Sequence, residues 1–103
     1  MIIPKIKEIV TSNYGLNPID MRKKSRKENV ARCRQLCIYF FKRVLGMSDG
    51  AVAKEMGVDR SYVYHAQRRI SGLRDVDFET RMQIEGIEDQ YPVLRGEKVE
   101  VKV

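Results

Sequence analysis

Wherever apolar residues cluster in this chain they recur at steps of three and four, the spacing of helices that bury one face. Ile2, Ile3, Ile6, Ile9 and Val10 make the first stripe, with Pro4 tolerable in an opening turn, and this helix is expected to end near residues 13–15. Asn17 followed by Pro18 predicts a short helical turn, with Ile19 and Met21 supplying apolar contacts. Residues 22–29 have no apolar periodicity and read as a surface loop. Val30, Cys33, Cys37, Phe40, Phe41 and Val44 then predict the longest helix, over 30–45, with Asn29 as its cap and Gly46 as its stop. Its other faces carry Arg32, Arg34, Gln35, Tyr39, Lys42 and Arg43. Past residue 73 a less regular stripe of Val76, Phe78, Met82, Ile84 and Ile87 predicts a last helix that lids the core.

Residues 48–71 read as a helix-turn-helix. Ser48 caps a first helix that contains the small Ala53, and Gly57 stops it, because glycine takes a left-handed backbone without steric cost. Val58 fills the angle and Asp59 is placed to cap the second helix. There Val63, Ala66, Ile70 and Leu73 form the seam, which leaves Arg60, Ser61, Tyr62, Tyr64, Arg68 and Arg69 largely off it. A basic, hydroxylated, aromatic surface on such a helix suits phosphates and base edges in a major groove. The plainer alternative is a helical hairpin with a wet face.

The remaining residues, 89–103, change character. Pro92 and Gly96 interrupt them, and KVEVKV alternates strictly without an evident partner strand, so disorder or an edge contact with another chain is expected. The organisation is therefore a helical domain over 1–88 and a tail over 89–103, all-α in class with about six helices. A length of 103 residues suits one domain with one modest core.

Charge adds a partner class. The formal net charge is +6, but residues 22–43 alone carry +8, against 0 before them, +1 over 44–71 and −3 over 72–103. So local an excess of lysine and arginine favours a polyanion. Cys33 and Cys37, four apart on one helix face, are expected as buried thiols; with His65 they fall short of the roughly four ligands of a structural zinc site. No signal core or membrane span is evident, which makes the cytosol the expected location. No metal or cofactor is expected. Nor is an enzyme: no nucleophile with a base, metal set or GxxxxGK[ST] phosphate loop occurs, and Asp75, Asp77 and Glu79 read as charges near a helix start.

At residues 30–35 the chain reads VARCRQ, preceded by KKSRK and followed downstream by GVDRSYVYHA. In order and spacing, over about residues 5–88, it resembles the C-terminal DNA-binding domain of the bacterial replication initiator DnaA. The resemblance implies a Trp-repressor-like helical fold with a basic loop before a long helix. The family motif V-A-R-P-R-Q is matched by Val30, Ala31, Arg32, Cys33, Arg34 and Gln35, with cysteine for proline. By the same resemblance Arg26 would enter the minor groove, and Arg34 and Gln35 would contact backbone or base edges. The family's recognition signature G-x-D-H-T-T-V-x-H-A has its scaffold matched by Gly57, Asp59, Val63, His65 and Ala66, but Arg60, Ser61 and Tyr62 stand where His-Thr-Thr reads bases. Arg60 can fork onto a guanine, and Tyr62 is larger than a threonine that meets a thymine methyl. His65 is expected to pack or bond between helices.

The expected function is sequence-preferring binding of double-stranded DNA in replication or transcription control, by a bacterial or phage-encoded, nucleoid-associated protein. Arg60, Ser61 and Tyr62 would lie in the major groove beside Asp59 and Tyr64, with Arg26 in the minor groove. Lys23, Lys24, Lys27, Arg32, Lys42 and Arg68 would sit on phosphates. The alternative is a protein-interaction module that keeps the fold and binds DNA weakly, using a surface of Tyr39, Tyr62 and Tyr64 and the tail. A monomer is the favoured state.

Overall fold

A computed structural model describes residues 2–22 and 27–95. They form five α-helices and two 3-10 turns: α1 (Ile2–Ser12), a turn at Pro18–Arg22, α2 (Glu28–Arg43), α3 (Asp49–Met56), α4 (Arg60–Val76), α5 (Phe78–Gln90) and a turn at Pro92–Arg95. No strand occurs among the described residues, and the all-α expectation holds.

The long helix is central. It touches α1, the first 3-10 turn, α3 and α4. Six consecutive residues, Leu36, Cys37, Ile38, Tyr39, Phe40 and Phe41, are consequently buried, where a one-sided stripe was expected. Tyr39 is the sharpest difference. It is 1% exposed, its ring meets Phe40 edge-on, and the Arg43 guanidinium lies 5.9 Å from its centroid. A tyrosine surface for a protein partner therefore cannot include it. Cys33 and Cys37 are buried free thiols. Burial pushes the Cys33 thiol up to about 11 and Cys37 further up, and Cys37 Sγ lies 3.8 Å from the Met21 sulfur.

Helix ends differ from expectation in ways the backbone explains. Lys27, not Asn29, takes the cap position of α2, which starts two residues early with Glu28 in its first turn, where the helix dipole favours an acid. At the other end α2 stops at Arg43, and Gly46 (φ 62°) serves the turn beyond, spanned by the Met47 N–H donating to the Phe41 carbonyl.

The last helix shows the largest difference. Ile84 and Ile87 are buried, but Val76, Phe78 and Met82 are 83%, 75% and 51% exposed, while the inward positions are taken by Thr80 and Glu88. Ile19 likewise lies on the surface, at 66% exposed, with Met21 alone of that pair buried. The packed body also runs past residue 88. The helix continues to Gln90, and Leu94 in the final 3-10 turn is fully buried, so residues 89–95 belong to the fold rather than to a tail. The alternating stretch expected to be a strand or disordered falls in 96–103, outside the described residues.

Candidate nucleic-acid interface

The helix-turn-helix is built as its residues require. Ser48 Oγ accepts from the Ala51 N–H at 3.1 Å and opens α3, whose Val52, Ala53 and Met56 are buried. Gly57 closes it in the left-handed region (φ 68°, ψ 39°), and both its N–H and that of Val58 reach the Ala53 carbonyl. Two cations hold the far end of α3. Lys7 Nζ lies 2.5 Å from Glu55 Oε2, and Arg22 Nη2 donates to the Glu55 carbonyl at 3.2 Å, a favourable placement at a helix C-terminus. Arg22, counted by sequence in the basic loop, thus fixes the turn of the motif.

Asp59 occupies the cap position of α4, but its side chain makes no cap bond and is exposed. Val63, Ala66 and Ile70 are buried, which turns the opposite face of α4 to solvent. Steps of four align Arg60, Tyr64 and Arg68 in one row and Ser61, His65 and Arg69 in the next, all six exposed. Arg68 Nη1 donates to the Tyr64 hydroxyl at 3.1 Å with its guanidinium 5.5 Å from that ring, and His65 meets the same ring edge-on. His65 is therefore a surface residue and does not pack between helices, contrary to expectation. Tyr62 is half-buried and packs against the core, so only part of its ring is offered outward.

The α2 motif is spent differently. Arg34 Nε donates to the Met21 carbonyl at 2.7 Å, tying the first 3-10 turn to α2. Arg32 Nη1 donates to Thr80 Oγ1 at 3.3 Å and so reaches the corner where α5 starts. At that corner Asp77 Oδ2 accepts from the Thr80 hydroxyl at 2.6 Å and from its N–H at 2.9 Å, and these bonds hold the Asp77 carboxyl below its usual range. Tyr14 lies at the same corner, and burial, with the Cys33 thiol nearby, pushes its hydroxyl up to about 12. Lys42, placed on phosphates by sequence, instead donates to the Met47 carbonyl and pairs with Asp49, each at 2.9 Å.

Gln35 and Arg32 do meet the recognition helix. Together with Arg69 they line a shallow hollow of about 260 Å³ between α2 and α4. Lys27 is exposed at the start of α2, and Lys23, Lys24 and Arg26 lie outside the described residues. Sequence reasoning left Arg69 out of the site, although its place in the row of Ser61 and His65 was readable from the spacing. Among the described residues no three His, Cys, Asp or Glu side chains are grouped to hold a metal, and no helix is long and apolar enough to cross a membrane.

Fold and surface define a helix-turn-helix protein whose second helix turns a cationic and hydroxylated face outward. Residues 3–70 match the family described as bacterial dnaA protein helix-turn-helix, and the chain belongs to that family. It is 35% identical over 86 residues to the chromosomal replication initiator protein DnaA of Sphingopyxis alaskensis, a match that covers 82% of this chain. The chain spans 19% of the length of that relative.

Proposed function

We propose that the chain binds double-stranded DNA with a sequence preference of its own, in the control of replication or transcription. The observation that carries this reading is the outward face of α4, where Arg60, Ser61, Tyr64 and Arg68 are exposed along the first half of a helix whose Val63, Ala66 and Ile70 are buried in the core. In the major groove Arg60 donates in a fork to guanine O6 and N7, and Ser61 and Asp59 contact neighbouring base edges. Tyr62 contributes the accessible edge of its ring. Arg68, Lys27, Lys23 and Lys24 neutralise phosphates, and Arg26 enters the adjoining minor groove as the family resemblance implies. Gln35 and Arg69 close on the backbone from the hollow between α2 and α4.

Selection of bound duplexes from a random pool at physiological salt tests the reading. A convergent motif that is lost in Arg60→Ala supports it; an unenriched pool contradicts it.

One observation favours a second reading, a protein-binding module. Val76, Phe78 and Met82 place an apolar patch at the α4–α5 corner, and such patches mark interaction surfaces. Of the tyrosines first considered for a partner, Tyr64 alone is well exposed.

A further inference from the structure

Three described glycines lie inside helices without a left-handed backbone: Gly50, Gly72 and Gly86. None is needed for its conformation, and each weakens its helix relative to alanine. A Cβ on Gly72 or Gly86 would meet nothing within 4 Å. At Gly50 the nearest atoms to such a Cβ are Arg60 Nη2 at 3.1 Å, Nε at 3.3 Å and Cζ at 3.4 Å. The guanidinium of the first residue of α4 thus lies back across the turn of the motif, against bare backbone in the first turn of α3. That first turn is itself fixed, by the Ser48 cap and by the pairing of Lys42 with Asp49.

We infer that Gly50 is a positioning residue for base recognition: its missing side chain leaves the recess that seats the Arg60 guanidinium and aims its fork. The inference rests on the DNA-reading role proposed above. A long arginine side chain pays conformational entropy when it is immobilised on a base. A guanidinium already seated has lost part of that freedom before DNA arrives, and it enters the groove from one direction. The fork then tests one base pair instead of sweeping several. An alanine at position 50 forces the seated group to move by a few tenths of an ångström or to leave, and because that group is the far end of a flexible side chain, the fold is spared.

The test is a cycle of wild type, Gly50→Ala, Arg60→Ala and the double variant. Two quantities are read: discrimination at the base pair whose preference Arg60→Ala abolishes, and the Arg60 Nε–Hε signal by ¹⁵N NMR in the DNA-free protein. Gly50→Ala is expected to unfold no earlier than wild type, to shift the Arg60 Nε–Hε signal and raise its mobility, and to lower discrimination at that base pair by about fivefold, within the range one arginine fork supplies. In the Arg60→Ala background the same change is expected to do nothing further. An unchanged Nε–Hε signal overturns the recess. Equal loss of affinity for the selected duplex with and without Arg60 also overturns it, since glycine would then act through its own contact. If Arg60→Ala leaves every base preference intact while Gly50→Ala still moves the Nε–Hε signal, the DNA-reading role falls and the seat stands without its proposed use.

Discussion

The cations of α2 and those of α4 look alike in sequence and do different work. On and beside α2, Arg22, Arg32, Arg34 and Lys42 each donate to a carbonyl or hydroxyl elsewhere in the fold: Glu55, Thr80, Met21 and Met47. On α4, Arg60, Arg68 and Arg69 are exposed; Arg68 donates to Tyr64 one turn away, and the Arg60 guanidinium lies across the turn of the motif against Gly50. The difference is set by the helices. α2 is wrapped by its neighbours, so long side chains leaving it find backbone acceptors within reach; α4 buries Val63, Ala66 and Ile70 and leaves Arg60, Arg68 and Arg69 exposed on its outer face. The described arginines and Lys42 of the basic stretch 22–43 are therefore largely a frame, while the exposed cations of α4 lie outside the stretch that composition singles out.

Breaking the frame should cost the most. Arg34→Ala removes a charged donor from the Met21 carbonyl and is expected to lower unfolding free energy by about 2 kcal/mol, with specific and scrambled duplexes weakened together. Chemical denaturation alongside binding to both duplexes checks this, and undiminished stability would dissolve the distinction. Arg60→Ala should do the reverse. Its thermal midpoint stays within experimental scatter while discrimination at one base pair falls about tenfold, or about 1.4 kcal/mol. Arg68→Ala is a smaller change on the reading face: all duplexes weaken alike, and the slope of log affinity against log salt flattens by about one unit. Arg32→Gln, which retains a donor toward Thr80 at a partly solvated corner, should cost less than about 1 kcal/mol of stability.

The finest separation lies between two carboxyls of the frame. Hydrogen bonds from Thr80 lower Asp77, so its contribution is present above the ordinary carboxyl range and lost as pH falls through its folded value. Burial raises Glu88 despite Arg74, Arg43 and Arg95 nearby, so ionising it costs stability as pH rises from the ordinary carboxyl range through its folded value. Melting curves from pH 3 to 7, roughly spanning both carboxyls, are expected to show Asp77→Asn falling below wild type only toward neutral pH. Glu88→Gln should rise to or above wild type over the same approach.

Much of this was legible because it is local. Ser48, Gly57 and the stripe of Val63, Ala66 and Ile70 declare the motif through capping, backbone sterics and period, and the resemblance ordered the helices around it. What sequence misplaced depends on neighbours from distant parts of the chain. Tyr39 looked like a surface residue because burial on all sides of α2 comes from α1, α3 and α4. Val76, Phe78 and Met82 looked like a lid because apolar residues near a helix start resemble a stripe, yet the corner turns Thr80 and Glu88 inward instead. The fates of Arg32, Arg34 and Lys42 were equally hidden, since their acceptors are carbonyls and a hydroxyl that no spacing rule reveals. Gly50 is the same case at the site itself: only the fold brings it under Arg60.

Backbone amide mapping by NMR during titration with a selected duplex tests the division of labour most directly. The largest shifts are expected at residues 59–64 and at Arg68, lesser ones at Lys27, Gln35 and Arg69, and nearly none at the α4–α5 corner. Shifts centred on Val76, Phe78 and Met82, with the first turns of α4 silent, would contradict it.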